Sequence, residues 1–125
     1  MSEFTQDVLD AAARSREIVL TTHGRRTGRQ HHTTLWISGD GRRLFVRSGG
    51  GPGRDWPRNL LARGAGVLHV GGIDVPVRAR HLDPAEARSV GELVVGKYGS
   101  QVSRSADGEP PVPAELATFE LLPAE

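Results

Sequence analysis

Between residues 5 and 13, Val8, Leu9 and Ala12 recur at helical spacing, and Thr5 is placed to cap the first turn. From residue 17 the period changes. The run EIVLTT over 17–22 is apolar and β-branched. In HHTTLWIS over 31–38, Thr33, Leu35 and Ile37 alternate with Thr34, Trp36 and Ser38, so both segments read as strands. A polar turn with two glycines, HGRRTGRQ over 23–30, separates them. Gly39-Asp40-Gly41 is a tight-turn signal, and RLFVRS over 43–48 predicts a third strand that completes a meander.

The second half repeats that logic. Residues 49–53 (GGGPG) are too rich in glycine for a regular element. Asp55 can cap a short helix that carries Pro57 in its first turn and runs to about residue 63. Strands are predicted at 67–70 and 73–82 around a Gly71-Gly72 turn, with Pro76 suggesting an edge position or a bulge. Asp83 and Pro84 open the longest helix, striped by Val90, Leu93 and Val94 and ending near Tyr98-Gly99. Residues 100–113 are polar and proline-containing and read as a mobile loop; ATFELL over 117–122 reads as a last strand. Six strands with a helix after each half predict a mainly β (α+β) fold, a small antiparallel barrel with flanking helices.

A length of 125 residues fits one domain over 1–125. Only 37% of the residues are apolar, while 16 are glycine and 8 are proline, so the core is expected to be modest. Burying surface on a second copy would help, which favours a homodimer. The net charge of +1 conceals an asymmetry, with arginines clustered between residues 25 and 63 and acidic residues in the last third. A near-neutral total argues against nucleic-acid binding, yet a local basic turn suits a small phosphorylated ligand. The absence of cysteine excludes disulfides and thiolate metal sites. Residues 1–14 do not resemble a signal peptide, and no apolar run approaches the roughly 20 residues of a membrane span. The cytoplasm is the expected location.

The chemistry concentrates in Gly24-Arg25-Arg26-Thr27-Gly28-Arg29. Three guanidinium groups, a hydroxyl and flexible backbone suit phosphate oxygens; a turn made soluble by arginine is the competing reading. Trp36 and Trp56 can wall a flat aromatic ligand or simply pack in a core. Ser48, Gly49 and Gly50 close a strand into a loop against which a planar ring can lie, or form a plain connector. The five histidines show no metal-binding spacing, and no nucleophile motif is present.

Taken in order, LTT, GRRTGR, HxTTL, a GD turn, VRSGG, DWxRNL and a VxVGG hairpin resemble the deazaflavin-dependent nitroreductase and quinone-reductase family. That family belongs to the split β-barrel superfamily, together with the pyridoxamine-phosphate-oxidase-like flavoproteins. The resemblance covers about residues 17–82 and implies a six-stranded antiparallel split β-barrel. It implies that Arg25, Arg26, Thr27 and Arg29 hold the phosphate and acidic tail of coenzyme F420. His31, Thr33, Thr34 and Leu35 would lie along the ring, with Trp36 just beyond. Ser48, Gly49 and Gly50 would pass the ring edge, and Trp56 and Asn59 match a Trp-Tyr-x-Asn-Leu helix in which Pro57 replaces the tyrosine. His31 and Thr34 stand where the family has a basic residue and a proline, and 97–99 (KYG) look more like the pyridoxamine-oxidase-like relatives, so FMN is the alternative cofactor. The implied activity is hydride transfer from the reduced cofactor to a small-molecule acceptor such as a quinone, enone or nitro compound. A non-catalytic cofactor carrier or sensor is the other class. No catalytic acid is assigned; a proton can come from solvent or from a hydroxyl such as that of Tyr98.

Overall fold

The computed structural model describes residues 3–99, 102–106 and 108–124. Helix α1 (Gln6–Arg14) begins on Thr5, whose hydroxyl accepts from the Val8 N–H at 3.3 Å, and buries Val8, Ala11 and Ala12. Then follow β1 (Ile18–His23), β2 (Gln30–Leu35), β3 (Ser38–Gly39), β4 (Leu44–Arg47), α2 (Asp55–Arg63), β5 (Ala65–Val70), β6 (Ile73–His81), α3 (Pro84–Tyr98), α4 (Pro113–Leu116) and β7 (Thr118–Pro123). The strands form one antiparallel sheet in the order β2-β1-β5-β6-β7-β4-β3. The fold is an α+β split barrel: a curled antiparallel sheet flanked by helices.

The two edge strands, β2 and β3, are consecutive in the chain, with only Trp36 and Ile37 between them. Three residue steps bridge at most about 10 Å, so the sheet has to curl until its edges nearly meet there. Inside the curl lie Leu20, Ile37, Val46, Leu68, Val77, Phe119 and Leu121, closed over by α1 and by Trp56 and Leu60 of α2. Alternation along β4 sends Leu44 and Val46 into this core and Phe45 to the other face. There Phe45 packs with Leu82 and with Ala87, Val90 and Val94 of α3. Asp83 and Glu86 form a reciprocal capping box at the start of α3.

Several expectations are corrected. The sheet has seven strands, because the predicted strand 31–38 breaks at 36–37. Instead of a ladder partner, the Ile37 N–H donates to Tyr98 Oη at 3.1 Å, and the Ile37 carbonyl accepts from Lys97 Nζ at 2.8 Å. The expected three-strand meander is absent: the chain passes from one sheet edge to the other at this break, so β4 pairs with β7 and β3 and never with β2. β6 is interior, between β5 and β7, and Pro76 lies at the end of the β6–β7 ladder, where its missing N–H interrupts little. Arg54, not Asp55, is the N-cap of α2; Asp55 sits in the first turn, its carboxylate 3.7 Å from Arg25.

The Gly71-Gly72 turn is as expected, both residues at positive φ (57° and 78°) in a two-residue hairpin between Val70 and Ile73. A Cβ on Gly71 would also lie 2.7 Å from that of Ala11, so the hairpin approaches α1 closely. Of the predicted mobile loop 100–113, residues 100, 101 and 107 lie outside the described residues. Its Ser105 is buried and hydrogen-bonded to Glu115 through both Oγ (2.7 Å) and backbone N–H (3.1 Å), so it is fixed to α4.

Candidate functional site

The basic turn between β1 and β2 is a braced structure. Its backbone closes through Gly24 N–H to the Arg29 carbonyl (2.8 Å) and Gly28 N–H to the Gly24 carbonyl (2.9 Å), with Gly28 at φ 73°. Asn59, buried in α2, accepts from both the backbone N–H (3.1 Å) and Nη1 (2.9 Å) of Arg25. Arg63 Nη2 donates to the Gly24 carbonyl at 2.7 Å. The Thr27 hydroxyl accepts from the Arg29 N–H at 3.3 Å, and the His31 ring packs under Gly24. Arg25 is therefore committed to holding the turn. Arg26 and Arg29 are exposed, and among the described residues their guanidinium groups form no hydrogen bond or ion pair. Two free forks on a rigid turn can take up an anion without first breaking a contact.

At the other end of β2 lies a cavity of about 350 Å³ between the 35–38 crossover, the outer face of β4 and α3. Thr34, Leu35, Trp36 and Gly49 line it, together with Phe45, Arg47, Val94 and Tyr98. Trp36 is 43% exposed and stacks on Tyr98. The Tyr98 hydroxyl accepts from the Ile37 N–H and faces the carbonyls of Arg16 (2.7 Å) and Ile37 (3.0 Å). Burial pushes its phenol above the ordinary value. A hydroxyl so occupied is a clamp on the crossover, which removes Tyr98 as the ready proton donor. Lys97 assists, donating from Nζ to the carbonyls of Ala12 and Ile37, each at 2.8 Å; burial lowers its pKa.

The predicted site residues thus fall into two groups joined by β2. Arg25, Arg26, Thr27, Arg29, His31 and Asn59 gather at the turn, and Thr34, Leu35, Trp36 and Gly49 at the cavity. Thr33 lies half-buried between them. Ser48 is buried behind Gly49, its N–H bonded to the Ala117 carbonyl at 3.0 Å, and Gly50 packs against the Arg54 guanidinium. Trp56 departs from expectation. It is a core residue at 7% exposure, tilted against Phe119 at 6.0 Å, because α2 turns it inward rather than towards a pocket mouth.

Two arrangements were not foreseen. Arg47, at the end of β4, reaches under α3: Nη2 donates to the Ala87 carbonyl at 2.7 Å, whereas Nε and Nη1 are buried without an acceptor among the described residues. Its strand pattern reads as an ordinary polar end, and only the packing of α3 reveals the burial. On the outer face of the sheet, the Thr21 hydroxyl lies 2.6 Å from His69 Nε2 and 2.7 Å from His32 Nδ1, and His69 Nδ1 lies 2.7 Å from Asp74. An ionised Asp74 only accepts, so a neutral His69 donates to it from Nδ1 and accepts the Thr21 proton at Nε2; Thr21 in turn accepts from His32. The residues of this chain are spread over residues 21 to 74 and meet only through sheet register.

Comparison with solved structures agrees with this architecture. An F420-H2 dependent reductase (FDR-A) superposes with TM-score 0.61 at 17% identity, over 86% of this chain and 93% of the other. A candidate pyridoxamine 5'-phosphate oxidase from Listeria innocua gives 0.68 at 14% identity, over 95% and 92%. A protein described as a domain-swapped dimer gives 0.61 at 17%, over 86% and 79%. At these identities the likeness concerns the fold. No curated protein matches the sequence. No helix among the described residues is long and apolar enough to cross a membrane. The model of one family, described as an uncharacterized protein conserved in bacteria (DUF2255), matches residues 8–121, and the chain belongs to that family.

Proposed function

We propose that the protein is an oxidoreductase that binds reduced coenzyme F420 along β2 and passes hydride to a small acceptor, a quinone, enone or nitro compound, in the cavity beside Trp36. The observation that carries this reading is the pairing of a braced turn bearing two free guanidinium groups with an aromatic-walled cavity at opposite ends of one strand. Six residues of strand span about 20 Å. A ring against the 34–35 end of β2, next to the cavity, and acidic groups at Arg26 and Arg29 therefore call for an extended acidic tail, which favours the deazaflavin over FMN. Both the free forks and the largely apolar wall fit such a ligand.

Bound there, the reduced deazaflavin supplies a hydride. The chain's own residues do the rest: Arg26 and Arg29 bind the anionic tail, Trp36 is held in place by Tyr98 beside the acceptor, and solvent at the cavity mouth provides the proton. The outer face of β2, β1, β5 and β6 carries half-buried Val19 and Val67 with exposed Pro76, a surface suited to a second copy, and the domain-swapped dimer of similar fold supports that assembly. Equilibrium titration with oxidised coenzyme F420 and with FMN tests the reading. Saturable F420 binding that weakens at least tenfold in Arg26→Ala supports it, whereas tighter binding of FMN, or binding indifferent to Arg26 and Arg29, would overturn it.

A further inference from the structure

Among the described residues that line the cavity, Arg47 is the only charged one. The rest of the wall is aromatic, aliphatic or hydroxylic: Trp36, Phe45, Val94 and Tyr98 with Ser38 and Thr34. Buried guanidinium N–H groups are nearly always matched by acceptors, and Nε and Nη1 of Arg47 have none among the described residues. The buried carboxylate of Glu115 steadies the charge, but its own oxygens are filled by the Ser105 Oγ, the Ser105 N–H and the Val112 N–H. The guanidinium lies against Gly91 of α3, at ordinary contact distance (3.9 Å) from where a Cβ would stand.

We propose that this cavity binds small planar carboxylates, aromatic or α,β-unsaturated acids, with the carboxylate taken up by Arg47 and the conjugated plane lying beside Trp36. The planar fork of Arg47 matches one carboxylate, whereas a phosphate dianion brings more negative charge than this cation, already steadied by Glu115, can match in a desolvated site. A volume of about 350 Å³ is at the small end for ligand pockets and suits one ring with a short side chain. The inference adds a carboxylate to the acceptors of the proposed function, an enone, quinone or nitro compound that bears one; simple aromatic acids would bind without being reduced. It rests on that reading for the fate of the ligand but not for its binding.

The test is titration of the full chain, without cofactor, by trans-cinnamate and by its neutral amide, cinnamamide. Cinnamate should bind at least tenfold more tightly, and Arg47→Met should make the two equal. The Nε–H resonance of Arg47 in the unaltered protein should shift with cinnamate and stay in place with cinnamamide, a readout that stands even if the variant fails to fold. Equal affinities in the unaltered protein, no saturable binding of cinnamate, an unmoved Nε–H resonance, or inorganic phosphate competing as well as cinnamate would each overturn the proposal. A coenzyme F420 titration on the same sample separates the two readings: cinnamate binding without F420 binding sinks the cofactor, not the carboxylate site.

Discussion

Trp36 lies flat on Tyr98, their ring centroids 4.1 Å apart and their planes within 3° of parallel, with the Arg16 guanidinium 5.6 Å from both rings. Tyr98 is in turn tied to the backbone of Arg16 and Ile37, so the indole is oriented before any ligand arrives. The two tryptophans should therefore behave oppositely. Truncating Trp56 empties core volume and should cost about 3–5 kcal/mol. Trp36→Ala loses chiefly a stacking contact, about 0.5–1.5 kcal/mol beyond its partial burial. Urea denaturation of both variants measures the difference. Ligand-induced quenching of emission should persist in Trp56→Phe and vanish in Trp36→Phe; quenching that survives in Trp36→Phe would remove Trp36 from the pocket.

The basic turn separates holding from binding. Arg26→Ala and Arg29→Ala remove exposed, unpartnered forks, each worth about 1.5–3 kcal/mol to a bound anion and little to the fold. Both should weaken coenzyme F420 binding about tenfold or more with nearly unchanged melting temperature. Asn59→Ala should behave differently, because its buried carbonyl satisfies two donors of Arg25. A loss of about 1–3 kcal/mol of stability is expected, with weaker binding following from a loosened turn. Calorimetry on the three variants checks the pattern.

What was legible in the sequence was local. Thr5, Asp83 and the Gly71-Gly72 pair set their helix ends and hairpin through chemistry within a few residues, and the structure has them as read. The break at Trp36 and Ile37 was not legible, since the partners of Ile37 are Tyr98 and Lys97, some sixty residues away. The same distance hid the pairing of β4 with β7 and the burial of Arg47 under α3. Of the two indoles, Trp36 is exposed and Ile37 buried, although both lie in the break between β2 and β3 where strand alternation no longer applies. The choice left open for Trp56 could not be made from the sequence, because a nine-residue helix can present any face until its packing partner, here Phe119, is known.

Adjacent threonines on β1 should respond to valine with opposite signs. Thr22 faces the core, fully buried, and its hydroxyl has no hydrogen-bond partner among the described residues. Thr22→Val keeps the shape and removes an unmatched polar group, so it should stabilise by about 1 kcal/mol. Thr21 faces the other way and bridges His32 and His69. Thr21→Val leaves two imidazole nitrogens without their shared partner and should cost about 1–3 kcal/mol. Equal effects of the two substitutions on the urea midpoint would contradict this division of the strand's faces.

Glu115 should make the fold acid-sensitive. Burial alone would push its carboxyl up, but hydrogen bonds from the Ser105 hydroxyl, the Ser105 N–H and the Val112 N–H, with the charge of Arg47, outweigh it and hold the carboxyl below the ordinary glutamate range. In the unfolded chain the same group takes up its proton at higher pH. The stability that the ionised form contributes is therefore present above the ordinary glutamate pKa and is lost as pH falls through the lower folded value. Hydrogen bonds to a charged acceptor are worth about 1.5–3 kcal/mol, so Glu115→Gln should lower stability by about 2 kcal/mol near neutrality. The variant should lose less on acidification, since it has no carboxylate to protonate at this position. Urea midpoints for the protein and the variant at about pH 7 and about pH 3.5 should converge towards the acid end; a constant gap between them would show that Glu115 acts through packing and not through its charge.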